Sequence, residues 1–453
     1  MAGYNGALLF GGEILRIHIN MRQTAIELTE YIFVLLLILE CNSVWSATVD
    51  SNLYKIVRVA LIIVALLYLL VNKSISRSKM NSIGVAVIIA AAYCLVYAVI
   101  VRYNIVNFCY IAIIAAAIYI FVSVAVDKNR GAQLLIKYKD LIVIIAVISL
   151  FFWLFGSQLG LISPTGTIIS TWTSTSGTTK QVSSYYGIYF ESQSTSSFLN
   201  LISQTTCRNT AIFTEAPMCN FHMCIALIIE LFYCKKVSKV KCTILVLTIL
   251  TTFSTTGYCM MIIAFVAKYI FSKGINRFSS ILKVAIIPVI LVVGIILLQI
   301  LFLDKMDTGS GVSRASDFAT GFQAWLEQPL FGYGYGASTY YHSVHYGYSN
   351  SITPILGYGG IFLAIPYLYF MIKWVYRCVK ERDMQKFLLF ANFMFLFLIT
   401  IVSFRFLTMF FLFASCIPRE KTAAEEGVTV RSENGSNVRN KKIYTGKYGG
   451  AGG

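Results

Sequence analysis

The chain has 453 residues, 57% of them hydrophobic and only 13% charged, with a mean hydropathy of +0.72. A soluble domain has no core that could hold so much apolar surface, so lipid must be the solvent for most of the protein. The net charge of +17 follows from membrane sidedness and a basic tail. It requires no nucleic acid, and attraction to anionic lipid is a secondary effect.

Residues 1–25 are mixed and polar, with no small-residue cleavage site behind an apolar core. They read as a cytoplasmic N-terminal segment without a cleavable signal peptide. A bilayer core of about 30 Å needs roughly 20 apolar helical residues. Spans are expected near 26–46, 56–72, 83–101, 105–126, 141–156, 213–234, 285–303, 351–372 and 387–404, with shorter apolar pieces near 243–253, 258–271 and 406–416. Lys and Arg gather on alternate connections: Lys73, Arg77 and Lys79; Lys128, Arg130, Lys137 and Lys139; Lys235, Lys236, Lys239 and Lys241; Lys273, Arg277 and Lys283; Lys373, Arg377, Lys380, Arg382 and Lys386. The positive-inside rule makes all of these cytoplasmic.

To keep both flanking clusters on that side, 243–271 must form two short segments. They are expected to join at Ser254-Thr255-Thr256-Gly257, within the membrane depth. The result is an all-α, polytopic membrane domain over 26–416 with about twelve transmembrane helices and both termini cytoplasmic. Residues 419–453 form a disordered basic tail. The eleven Cys show no metal-site spacing. Only Cys207 and Cys219 lie near the outer face in one region, and a disulfide between them stays open.

Two long connections are poor in Lys and Arg and should be extracytoplasmic: about 157–210 and about 304–350. The first is rich in Ser, Thr and Tyr and reads mainly as a solvated connector. Tyr185, Tyr186 and Tyr189 are either sugar-stacking platforms or interfacial aromatics. It ends in Arg208-Asn209-Thr210-Ala211-Ile212-Phe213-Thr214-Glu215-Ala216-Pro217. There Pro217 and Glu215 also suit the start of a helix. In the second, Phe318, Phe322, Trp325 and Leu326 recur at helical spacing, so 314–327 is expected to be a short interfacial helix. The run Pro329-Leu330-Phe331-Gly332-Tyr333-Gly334-Tyr335-Gly336 follows, whose glycines permit tight turns and close backbone approach.

These residues resemble the O-antigen polymerase/ligase-like family. The resemblance is carried by Arg314, Trp325 and Pro329 to Gly336, then Asn350 before a span holding Gly357, Gly359 and Gly360. It is also carried by Arg208 to Pro217 and by Thr252-Phe253-Ser254-Thr255-Thr256-Gly257-Tyr258, and it covers roughly 30–416. It implies a GT-C-like fold of about twelve helices with a large extracytoplasmic loop, in a bacterial cytoplasmic membrane. It also implies metal-independent, cofactor-free transfer of a glycan from a polyprenyl pyrophosphate carrier to an acceptor hydroxyl. A repeat-unit flippase and a chain-length regulator are the implied partners. Ligase-type members carry a His directly before the final loop Asn. This chain has Ser349-Asn350, with His342 and His345 earlier, which favours a polymerase.

Such chemistry needs fixed positive charge where the pyrophosphate leaves, and arginine binds phosphate oxygens in a bidentate way. Arg208 and Arg314 are the leading phosphate ligands. Arg405, at the outer end of a span, is either a further ligand or a snorkelling anchor. Glu215, His342 and His345 are candidate bases, and Tyr335 is a substrate contact. Asn350 is either a substrate ligand or a helix cap. The rival readings are a ligase acting on a terminal acceptor and a transporter of lipid-linked sugar. Glu40, Glu230 and the Ser-Thr-Thr-Gly break keep the transporter in play.

Overall fold

The computed structural model describes residues 4–10, 13–19, 21–48, 52–72, 75–170, 180–196, 205–271, 309–336, 350–415 and 417. Two strands, β1 (Tyr4–Phe10) and β2 (Glu13–Ile19), precede six helices: α1 (Met21–Glu40), α2 (Val44–Ala47), α3 (Asn52–Val71), α4 (Arg77–Ile100), α5 (Ile105–Asp127) and α6 (Gly131–Phe152). A π turn, Trp153–Gln158, prolongs α6. The strands β3 (Gly166–Ser170), β4 (Lys180–Tyr185), β5 (Tyr189–Glu191), β6 (Ser194–Ser196) and β7 (Thr205–Cys207) follow. Further helices among the described residues are α7 (Ala216–Phe232), α8 (Lys239–Thr251), α9 (Thr255–Phe271), α10 (Gly309–Glu327), α11 (Ile352–Lys380), α12 (Met384–Ile399) and α13 (Phe406–Ala414). The expected span at 285–303 and the tail at 419–453 lie outside the described residues.

Among the described residues, five helices are long and apolar enough to cross a membrane: α3, α4, α5, α6 with its π turn, and α11. Three shorter apolar helices lie within α7, α9 and α12. The protein is mostly helical and membrane-embedded. Outward-facing side chains agree, since Leu70 and Ile88 are 67% and 69% exposed on helices with few polar neighbours. Inside, Phe33 stacks on Phe121 at 3.7 Å and Phe121 on Tyr68 at 4.1 Å, joining α1, α5 and α3.

Several boundaries differ from expectation. The first span stops at Glu40, where Asn42 takes a positive φ of 53° and the chain turns into α2. Helix α6 begins at Gly131 rather than near 141. Lys137 and Lys139, expected on a solvated connection, are therefore buried in the bundle. They survive burial by pairing. Glu30 takes Arg130 in a fork at 2.6 and 2.8 Å, together with Lys137 and the Tyr68 hydroxyl. Lys139 bridges Asp140 and Glu230 at 2.8 and 2.9 Å.

Residues 243–271 form two helices, as expected, but the break falls at Thr252-Phe253-Ser254, with Phe253 at φ 48°. Thr255, Thr256 and Gly257 already belong to α9. The start of α8 lies by the end of α7, because Ser238 N–H donates to Glu230 at 2.6 Å. The end of α9 lies there too, through Lys268 and Leu231. The pair is therefore a hairpin.

The first long connection is not simply a solvated linker. β3, β4 and β5 form an antiparallel sheet, and β4 and β5 are joined by a tight three-residue loop in which Tyr186 and Gly187 both take positive φ and Ile188 N–H donates back to the Tyr185 oxygen. Tyr185 and Tyr189 pack under it against Phe152 and are buried, so of the three tyrosines only Tyr186 is exposed. Burial, and the Glu191 carboxylate that accepts from it, push the Tyr185 phenol up.

The second connection contains α10, which extends the expected 314–327 helix at its start. Its small residues face inward: a Cβ on Gly321 would meet that of Thr353 at 2.3 Å, while Phe318, Phe322 and Leu326 are exposed. Helix α11 is broken at Gly360 (φ 56°, ψ −150°). A continuous helix would bond Ile361 to Gly357 and Phe362 to Tyr358. Both bonds are opened, and the segment Pro329–Gly334 satisfies all four groups. Tyr333 and Gly334 N–H donate to Gly357 and Tyr358 oxygens at 2.9 Å each. Ile361 and Phe362 N–H donate to Pro329 and Leu330 oxygens at 2.8 and 2.9 Å. Irregular backbone within an apolar helix bundle is stable only when protein supplies the missing partners.

Candidate functional site

That docked segment delivers Tyr335 to the loop-rich end of the bundle. The Tyr335 N–H donates to the Tyr97 hydroxyl at 2.7 Å, and its carbonyl accepts from Asn104 Nδ2 at 3.1 Å. Its ring meets Phe404 edge-on at 5.1 Å, one residue before Arg405. Gly334 is required for this approach, since a Cβ there would lie 2.8 Å from the Tyr103 ring.

Around Tyr335 the structure gathers charge. Glu40, the last residue of α1, is fully buried, and its Oε2 accepts the Phe406 N–H at 2.9 Å. Its carboxylate thus sits at the positive end of α13. Its Oε1 lies 3.6 Å from Arg58 Nη2 and 3.7 Å from Arg405 Nη1, ion pairs beyond hydrogen-bond length. The Arg58 guanidinium stacks on Tyr54 at 3.7 Å and lies 5.1 Å from the Phe406 ring. Its Nε is buried without a partner among the described residues. Burial pushes the Tyr335 phenol up to about 12, with Arg58 and Arg405 pulling the other way and Glu40 adding to the rise. Two cations and one anion leave a surplus positive charge beside a phenol and an aromatic wall.

Comparison with protein-family models, curated proteins and solved structures finds no match. The site must therefore be judged on its own geometry.

Of the residues expected from sequence, Arg405 and Tyr335 come together. Arg208 lies elsewhere in the same loop-rich end: its Nε donates to the Thr252 carbonyl at 2.8 Å, which ties the outer loop to the α8–α9 turn. Its neighbours have the same structural character, since Asn209 bonds Thr251 and Thr210 bonds Phe190. Glu215 is the N-cap residue of α7, but its side chain makes no cap bond. Gln193 joins these two positions by accepting from Arg208 N–H at 3.0 Å and Ala216 N–H at 2.9 Å. The turn after α1 links both groups, because Thr214 N–H donates to the Asn42 carbonyl at 3.1 Å and Asn42 Nδ2 donates to Ile401 at 3.0 Å.

Asn350 takes the cap role. Its Oδ1 accepts from Ile352 N–H, Thr353 N–H and the Thr353 hydroxyl at 3.0, 2.9 and 3.1 Å. Arg314 lies on α10, with its side chain outside the described residues, and His342 and His345 lie outside them altogether. Cys207 and Cys219 are not joined by a disulfide: Cys207 Sγ lies 3.7 Å from the Gln193 carbonyl oxygen, and Cys219 is buried. Sequence reasoning missed Arg58 and gave Glu40 only to the transporter reading. The signal for both was available: an ionisable residue within or ending an apolar span is a functional hypothesis by default.

Proposed function

We propose that the protein is a polysaccharide polymerase that joins polyprenyl-pyrophosphate-linked oligosaccharide repeat units at the outer face of a bacterial cytoplasmic membrane. About twelve segments span the membrane in this reading, with both termini cytoplasmic. The acceptor hydroxyl attacks the anomeric carbon of the donor. The bond to the carrier breaks, the pyrophosphate leaves on the polyprenol, and the hydroxyl proton passes to a base, for which Glu215, His342 and His345 are the candidates. The single observation that supports this reading is the convergence of Arg58 and Arg405 with surplus positive charge beside Tyr335. Fixed guanidiniums in a poorly solvated site stabilise charge developing on a leaving pyrophosphate. Arg208 and Arg314 are further ligands in this reading, and Asn350 supports the loop as a cap. A flippase and a chain-length regulator are its expected partners.

The test is reconstitution of the purified protein with lipid-linked repeat units. A ladder of products is expected, with its loss in Arg58→Ala and Arg405→Ala variants that still melt normally. No chain growth, together with transfer of preformed polymer to another acceptor, would instead establish a ligase. Normal ladders from both variants would remove the guanidinium pair from the chemistry.

A further inference from the structure

Glu40 is the unusual member of this site. A carboxylate with no exposure, placed between Arg58 and Arg405, occupies the space an incoming anion would want. A capping role alone does not require it. The Phe406 N–H needs an acceptor, which any amide oxygen would supply. Nor does it form a tight ion pair, because its Oε1 stands 3.6 and 3.7 Å from the two guanidiniums. The two guanidiniums face the Glu40 carboxylate only at 3.6 and 3.7 Å, and Arg58 Nε is buried without a partner among the described residues, so the pair keeps in-plane N–H donors for a ligand. Arg58 is fixed face-on by Tyr54, which leaves its edge free. The Arg405 side chain is 29% exposed, against 13% for Arg58, so the open side of the pair is at Arg405.

We propose that Glu40 is a resident counter-anion: it presets Arg58 and Arg405 for a phosphate-class anion and weakens that anion's hold enough for release. This rests on the polymerase reading only for its purpose. Every round of chain growth sheds a polyprenyl pyrophosphate, and two unopposed guanidiniums in a dry site would retain it. With Glu40 in place the pair carries one net positive charge rather than two. At the separations involved, that difference is worth about tenfold or more in anion affinity.

The experiment uses the full chain in nanodiscs of zwitterionic lipid, with inorganic pyrophosphate as the probe. Glu40→Gln is the informative variant, because its amide oxygen still accepts the Phe406 N–H while the charge is gone. Pyrophosphate should bind about tenfold tighter to it than to the wild type, and about tenfold weaker to Arg405→Ala. Unchanged or weaker binding to a normally melting Glu40→Gln protein would reduce Glu40 to a helix cap and overturn the proposal. If that variant does not fold, Arg405→Gln tests the same charge count in the native background. One guanidinium facing Glu40 must lose about tenfold in affinity, and retained affinity overturns the proposal. Repeating the titration in discs containing phosphatidylglycerol separates the sources. Loss of pyrophosphate binding there assigns the site to an anionic lipid headgroup, and unchanged binding assigns it to the carrier's pyrophosphate. No glycan is present, so a failed binding result leaves the polymerase reading standing, and a failed polymerase assay leaves the binding result standing.

Discussion

Replacing Gly360 with Ala should undock the Pro329–Gly334 segment and disable the site from a distance. Gly360 adopts φ 56° and ψ −150°, a region essentially restricted to glycine, and a Cβ there would stand 2.5 Å from the Pro329 oxygen. Strain contributes about 1–3 kcal/mol. If the backbone gives way, the four main-chain bonds between the segment and α11 are lost, at about 1 kcal/mol each. The total of about 5–7 kcal/mol is a large part of a typical folding margin of about 5–15 kcal/mol. The assay is thermal melting in detergent followed by size-exclusion chromatography, with protease accessibility of 329–336 as a local probe. The control is Gly84→Ala in α4, where a Cβ would meet nothing within 4 Å. It should melt at or slightly above the wild type, since glycine costs about 0.5–1 kcal/mol inside a helix. A Gly360→Ala protein with wild-type melting and an equally protected segment would refute the docking argument.

Glu30→Gln should lower the melting temperature sharply, because it leaves Arg130 and Lys137 facing a neutral group; removing one partner of a buried pair costs about 3–5 kcal/mol. A melt within a degree of the wild type would mean that this network is solvated. Asn350→Ala should lose about 1 kcal/mol of stability, whereas Asn350→Asp keeps the acceptor and should remain stable and active. Polymer synthesis lost in a stable Asp variant would show that Asn350 contacts substrate rather than capping α11.

Membrane character was legible from hydropathy because lipid-facing helices must be apolar around most of their circumference. The α8–α9 reversal was legible because charge sidedness allows only one solution. Tyr335 and Arg405 stood out in the sequence because they sit beside glycines and at a span end, and the structure places them at one end of the bundle. Arg58 escaped notice because its immediate neighbours in α3 are apolar and its partners Glu40 and Phe406 are 18 and 348 positions away in sequence; only tertiary structure brings them together. The Arg208-Asn209-Thr210 motif also has a structural role that its spacing did not announce. Arg208 Nε and Asn209 Nδ2 bond the Thr252 carbonyl and the Thr251 hydroxyl at the α8 end, contacts that only tertiary structure reveals. Lys137 and Lys139 read as loop charges because positive-inside counting cannot tell a solvated lysine from one that a carboxylate neutralises inside the bundle.

The Glu30 cluster also bears on how the chain enters the bilayer during synthesis. Helix α1 is absent from the five strongly apolar helices, and the partners that neutralise its buried carboxylate are Tyr68, Arg130 and Lys137, made 38, 100 and 107 residues later. Until α6 has been made, the Glu30 carboxylate lacks both cations that pair with it. The settled packing of α1 therefore depends on a helix that follows it by about a hundred residues, so the first and sixth helices reach their final burial together.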